Sequence, residues 1–226
     1  MDTDKTPKYH SPVKPLADCR LYAFLDTLYL YGRTPQRVTE QLCEGGADLI
    51  QLRAKQSSLA EIRRMAENVL PITQAAGVGL VINDHLSLAQ ELGADFCHLG
   101  QEDFFGSGCN HVSQLSTLNA HLRIGLSTHA PEQAQRALAA GADYLAIGPV
   151  YATNTKPTAK PATLDYVRWA AANVRIPWFA IGGINLQNLE QVIAAGAQRI
   201  CVVSAILKSD DVVSACRAFK ERISDQ

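Results

Sequence analysis

The sequence predicts an α/β chain folded as a single closed (β/α)8 barrel, a TIM barrel, and two observations carry that expectation. From Leu21 onward, short and nearly continuous apolar runs alternate with longer helical patterns, eight of each. Strands that are apolar along their whole length are buried on both faces, as parallel strands covered by helices are. The second observation is a repeated mark. Gly46-Ala47-Asp48, Gly93-Ala94-Asp95 and Gly141-Ala142-Asp143 are near-copies, and Gly196-Ala197-Gln198 is a degenerate fourth; the intervals are 47, 48 and 55 residues. Each reads as a helix ending at a glycine, with a strand starting just beyond it. One interval holds two βα units, so four marks fit eight units and enter the even-numbered strands. A doubly wound open sheet is the structural rival. It would carry a Gly-x-Gly-x-x-Gly turn after its first strand, and Leu25-Asp26-Thr27-Leu28 does not supply one.

Taken in order, residues 1–18 carry Pro7, Pro12 and Pro15 among Asp, Lys and Thr, with no apolar run behind them. That is neither a signal peptide nor a membrane span, and it reads as a mobile extension ahead of a barrel domain over 19–226. Strands are expected at 21–25, 48–53, 78–83, 96–99, 123–126, 144–147, 178–181 and 200–203. Helices are expected at 35–43, 59–75, 86–92, 112–118, 131–140, 164–172, 186–195 and 212–223. Hydrophobic residues at 47% and charged residues at 19% of 226 fit a packed soluble protein. With 21 basic against 22 acidic residues, no global basic field exists to hold nucleic acid or an anionic membrane. The six cysteines are scattered without a Cys-x-x-Cys pair, as expected of reduced thiols in a cytoplasmic protein rather than a disulfide or zinc framework.

In such barrels the chemistry sits on loops leaving the C-terminal strand ends. The second strand ends in Gln51-Leu52-Arg53-Ala54-Lys55, and alternation puts Gln51, Arg53 and Lys55 on one side. That set suits an anionic ligand, and equally a solvated strand end. The third and fourth strands lead into Asn83-Asp84 and Gln101-Glu102-Asp103. Two carboxylates on neighbouring strand ends, with a ligand's phosphate oxygens, form a common magnesium arrangement; a helix cap at Asp84 and a turn residue at Asp103 are the plainer readings. His98 lies within an apolar strand and is expected in a core or hydrogen-bonded role. Ser127 or Thr128 reads as a cap for the helix opening at Pro131, and no Gly-x-Ser-x-Gly elbow marks a nucleophilic serine. After the sixth strand, residues 148–157 form a long loop dense in hydroxyls, an amide and a lysine, read as a lid or ligand clamp. Gly182-Gly183 after the seventh strand and Val203-Ser204 after the eighth match the common barrel phosphate site.

Together these motifs resemble the thiamine-phosphate synthase family over about 21–223. The residues carrying the resemblance are Gln51 to Lys55, Asn83-Asp84, His98 to Asp103, Gly125 to Ser127, Gly148 to Lys156, Ile181 to Ile184 and Val202 to Ser204. The family couples 4-amino-2-methyl-5-hydroxymethylpyrimidine diphosphate to a thiazole phosphate, giving thiamine phosphate and pyrophosphate. The resemblance implies that Gln51, Arg53, Lys55, Asn83, Ser127 and Lys156 hold the pyrimidine diphosphate, with Arg53, Lys55, Ser127 and Lys156 as the catalytic set. It implies that Asp84 and Asp103 hold Mg2+, and that Thr153, Asn154, Thr155, Gly182, Gly183, Val203 and Ser204 hold the thiazole phosphate. It implies small-molecule substrates as partners and is compatible with a homodimer. In the implied reaction the pyrimidine methylene loses diphosphate, the ring amino group feeds the cation, and the thiazole nitrogen captures it. Arg53, Lys55, Lys156 and Mg2+, less the two aspartates, leave about +3 against roughly three negative charges on the diphosphate ester.

The chain departs from the family at one point. A glycine usually stands between the Thr-x-Thr-Lys loop and the next helix, and here Pro157 to Thr163 contains none. Thr163 is expected to cap that helix instead, with Pro157 and Pro161 stiffening the loop. His85, beside Asp84, is expected to face solvent. Two rival functions remain. One is a thiazole tautomerase of the same superfamily, which relies on a histidine after the fifth strand that His129 matches. The other is a non-catalytic sensor of phosphate ligands. Retention of Lys55, Asp84, Asp103 and Lys156 favours the synthase.

Overall fold

The computed structural model describes residues 12–115, 121–153 and 162–224. Eight parallel strands close into a barrel in sequence order. They are β1 (Leu21–Asp26), β2 (Leu49–Arg53), β3 (Gly79–Asn83), β4 (Phe96–Leu99), β5 (Arg123–Thr128), β6 (Tyr144–Ile147), β7 (Trp178–Ile181) and β8 (Ile200–Val202). β8 returns to pair with β1, Tyr22 lying opposite Cys201. The outer helices are α1 (Pro35–Glu44), α2 (Leu59–Ala76), α3 (Leu86–Leu92), α4 (Gln101–Gly106), α5 (Pro131–Ala139), α6 (Thr163–Asn173), α7 (Leu189–Ala194), α8 (Ser204–Leu207) and α9 (Val212–Ser224). Among the described residues no helix is long and apolar enough to cross a membrane, and the six cysteines are free thiols.

The repeated marks do structural work at the N-terminal face. Each mark's glycine takes left-handed backbone, from φ +64° at Gly93 to +101° at Gly196. The aspartate that follows ties down the start of the preceding strand. Asp48 Oδ2 accepts from the N–H groups of Arg20 (2.7 Å) and Leu21 (3.0 Å), Asp95 Oδ2 from Leu80 (3.2 Å), and Asp143 Oδ2 from Ile124 (2.8 Å). Burial alone would push the Asp48 carboxyl up. Hydrogen bonds from Leu21, Lys14, Lys220 and Arg20 outweigh it and hold the group below its ordinary value.

Residues 12–18 of the extension are tied to this face. Lys14 pairs with Asp48, and a 3-10 turn at Leu16–Asp18 brings the Ala17 carbonyl to accept from Arg199 Nη2 at 2.5 Å. Three helical expectations change. The helix expected over 112–118 is a 3-10 turn at Val112–Gln114, its remaining part reaching residues outside those described. The turn expected after β4 is α4, which sinks Phe104 into the core. The helix expected from 186 begins at Leu189. Asn185 and Asn188 side chains there accept backbone N–H bonds and hold a turn, the usual competition of Asn with helix.

Candidate active site

A cavity of about 400 Å3 opens at the C-terminal end of the barrel, lined from all eight strands. It brings together every predicted site residue that lies in the described segments: Gln51, Arg53, Lys55, Asn83, Asp84, Asp103, Ser127, Thr153, Gly182, Gly183, Val203 and Ser204. Asn154, Thr155 and Lys156 lie outside the described residues.

One wall is built from charge. Arg53 ends β2 directly opposite Asp26, the last residue of β1. Its Nη1 donates to Asp26 Oδ2 at 2.8 Å, and Asp26 is fully buried. The pair aims the guanidinium, and it also corrects the charge balance drawn from sequence, because Asp26 neutralises one of the cations. Lys55 pairs with Asp84, and Asn83 Nδ2 donates to the same Asp84 oxygen at 2.7 Å. Asp84 therefore does not cap α3. That position is His85, which makes no side-chain cap bond, is half-buried and does not line the cavity. Asp84 holds φ +63°, tolerable for a short polar side chain. Asp103 stands in the first turn of α4, not in a loop turn.

The floor is a buried, neutral polar chain. Gln51 donates to the Tyr22 hydroxyl, which lies 3.4 Å from the Tyr144 hydroxyl. That hydroxyl is 3.3 Å from His98 Nδ1, and His98 Nε2 is 2.9 Å from Ser127 Oγ. Ser127 therefore caps no helix. Nor does Thr128, which donates to the Ala146 carbonyl at 3.0 Å while Ala130 stands at the α5 N-cap. Gly125 makes the room: a Cβ there would lie 2.0 Å from the Tyr144 ring. Burial pushes the His98 pKa down to about 4, against a smaller pull from Asp84, and pushes both tyrosines up.

This imidazole gives a pH prediction. Its unfolded value is near 6.5, so between pH 6.5 and 4 the unfolded chain binds the extra proton. Stability is full above pH 6.5 and falls by up to about 3 kcal/mol as pH drops toward 4. Denaturant melts across that range should show the slope in the wild type and its loss in His98→Asn.

The opposite wall is backbone. Gly182 and Gly183 hold φ +103° and +65°. A Cβ on Gly183 would lie 2.6 Å from the Ala152 carbonyl oxygen and 2.7 Å from Tyr151 Cβ. These glycines thus also let the loop after β6 pack on the end of β7, where Tyr151 N donates to the Gly182 carbonyl at 3.0 Å. Gly183→Val would disturb that packing as well as any ligand, so Ser204 is the cleaner probe of this wall. His129, on the rim, donates from Nδ1 to the Gly148 carbonyl. A carbonyl only accepts, so Nδ1 carries a proton.

Where the family's glycine is missing, Thr163 adopts φ +63°. It is not the N-cap. Ala162 stands there without a side-chain bond, and the Thr163 hydroxyl accepts from Asp165 N–H at 3.3 Å from inside the first turn. A β-branched residue in left-handed backbone is strained. Thr163→Gly is expected to raise stability by about 1 kcal/mol, a Tm gain of roughly 2–4 °C by calorimetry.

Comparison with known proteins places these features in a family. Residues 21–206 match the family described as thiamine monophosphate synthase. A thiamine-phosphate synthase of Thermus thermophilus is 47% identical over 186 residues, covering 82% of this chain and 87% of that one. The Halalkalibacterium halodurans thiamine-phosphate synthase is 38% identical over 205 residues, covering 90% and 95%. A solved thiamine phosphate pyrophosphorylase from Pyrococcus furiosus superposes with a TM-score of 0.80 at 28% identity, covering 92% of this chain and 96% of that one. The chain belongs to the thiamine monophosphate synthase family.

Proposed function

We propose that this chain is a transferase, a thiamine-phosphate synthase, joining the pyrimidine diphosphate to thiazole phosphate with release of pyrophosphate. The observation that carries the reading is the two-walled cavity: Arg53, Lys55, Asp84 and Asp103 on one side, Gly182, Gly183 and Ser204 on the other. One wall suits a diphosphate, the other a phosphate monoester met by backbone and hydroxyl.

Arg53, oriented by Asp26, and Lys55 bind and orient the diphosphate, with Lys156 assigned to the same task by resemblance. Gln51 spends its amide N–H on Tyr22, leaving its oxygen to accept from the pyrimidine amino group. That amino group feeds the cation left on the methylene carbon, and the thiazole nitrogen takes its place in the new bond. His98, held neutral by burial, puts no fixed positive charge against that cation. The reaction needs no covalent nucleophile, and the residues act by charge and alignment.

The residues fit Mg2+. Asp84 and Asp103 are hard oxygen donors on one cavity wall, and among the described residues no cluster of three acidic, histidine or cysteine ligands forms an all-protein cage. Magnesium commonly takes one or two carboxylates and completes its shell with water and substrate phosphates. When bound, it supplies positive charge that favours diphosphate departure.

The test of the thiazole wall is Ser204→Asp. A carboxylate there should raise KM for thiazole phosphate by roughly tenfold or more, through the like-charge repulsion of a buried site, with less change for the pyrimidine substrate. Equal KM values for thiazole phosphate in variant and wild type would move that wall elsewhere. The second reading, a thiazole tautomerase, is favoured by one observation: His129, just after β5, lines the cavity. It leaves Arg53, Lys55 and Asp84 without a task, since tautomerisation expels no diphosphate.

A further inference from the structure

At the N-terminal face the barrel breaks its own rule at one mark. Asp48, Asp95 and Asp143 each accept an N–H from the preceding strand, and two of them also pair with cations. Asp48 pairs with Lys14 and Lys220, and Asp143 with Arg123 at 3.3 Å. The fourth mark ends in Gln198, so no carboxylate stands there. Arginines are present nevertheless. Arg199 follows directly and precedes β8, Arg20 precedes the neighbouring β1, and Arg175 lies just ahead of β7.

Among the described residues none of these three arginines forms a salt bridge. Among the described residues, Arg20 Nη1 and Arg199 Nε are buried without a hydrogen-bond partner. A buried donor on a charged group left unpaired is costly, and native proteins rarely leave one without a reason. Arg199, with Arg175, Gln198, Pro177 and Trp178, lines a cavity of about 330 Å3. Burial and the Arg20 charge lower the Arg199 pKa against a smaller pull from Asp18.

We infer that this cavity is a second binding site, for a phosphate-bearing anion, in which Arg175 and Arg199 hold the ligand where the other marks hold a carboxylate. Guanidinium forks match phosphate oxygens, and clustered cations favour a dianion over a singly charged carboxylate. The volume admits inorganic phosphate or a small phosphate monoester. The site sits at the opposite end of the barrel from the cavity above, so the inference stands apart from the proposed reaction.

The test is arginine Nε–Hε NMR on the full chain, titrated separately with inorganic phosphate and with glycerol phosphate. The Arg199 Nε resonance should shift saturably, while Arg53 reports the other cavity. Arg175→Gln removes an exposed partner and should weaken binding roughly tenfold, the value of one charged hydrogen bond, with thiamine phosphate formation unchanged. Gln198→Asp restores the missing carboxylate and should abolish the Arg199 response. Equal affinity for both probes identifies the phosphoryl group alone as the ligand feature, and tighter binding of the ester identifies an organic phosphate. An Arg199 resonance unmoved by millimolar phosphate overturns the inference, as does a response retained in Gln198→Asp.

Discussion

Arg53→Ala is expected to lower kcat for thiamine phosphate formation by roughly 10²-fold or more, the usual cost of deleting a transition-state charge partner. Diphosphate gains charge as the C–O bond breaks, and Arg53 is the cation whose position the structure fixes most firmly. Asp26 holds it at 2.8 Å from a fully buried position. Arg53→Lys should recover only part of the rate, because an ammonium cannot reproduce a forked guanidinium contact. Arg53→Ala also leaves the buried Asp26 carboxylate without its ion-pair partner, and breaking a buried pair destabilises by about 3–5 kcal/mol. Chemistry and folding are separated by the double variant Arg53→Gln with Asp26→Asn. Its Tm should return toward wild type, since the Asn can still accept from Leu28 N–H as Asp26 does at 3.0 Å, while kcat stays low. Single-turnover rates beside thermal melts measure both. A double variant that regains stability and rate together would show that Arg53 serves only the fold.

Removing divalent metal is expected to abolish turnover, and adding Mg2+ to restore it. Asp84→Asn and Asp103→Asn should each raise the Mg2+ concentration for half-maximal rate by at least roughly tenfold. The two need not be equal. Asp84 is bonded to Lys55 and Asn83, so its loss also frees the lysine, whereas Asp103 is exposed and is the simpler probe. Full activity in metal-free buffer would remove the metal from the mechanism.

The barrel was legible because its strands are apolar throughout and its even-numbered strands share one mark. The helical expectations were weaker where the helix is short. α4 has six residues, too few for a periodic pattern to stand out beside Glu102-Asp103. Most of the charged wall was also legible, since Arg53, Lys55, Asp84 and Asp103 sit at strand ends. Asp26 was not. It falls just past the strand expected at 21–25 and belongs to none of the quoted motifs, and only the β1–β2 register sets it opposite Arg53. That register was available in principle, because consecutive strands of such a barrel pair in order. The Tyr22–Tyr144–His98 chain was beyond sequence reasoning. It joins β1 to β4 and β6 inside the barrel, and nothing in strand alternation says which inward side chains meet there. Thr163 lies between these cases: the missing glycine was visible, while the left-handed backbone that Thr163 adopts in its place required the structure.

The most direct measurement is product analysis under single-turnover conditions with pyrimidine diphosphate, thiazole phosphate and Mg2+, run on the wild type, Arg53→Ala and His129→Ala. Coupling predicts thiamine phosphate and pyrophosphate in equal amounts from the wild type, a rate lowered roughly 10²-fold in Arg53→Ala, and a smaller loss in His129→Ala, because joining the rings needs no base at the position of His129. No thiamine phosphate from the wild type would contradict the synthase reading outright. Isomerisation of the thiazole phosphate that vanishes in His129→Ala and persists in Arg53→Ala would put the tautomerase in its place.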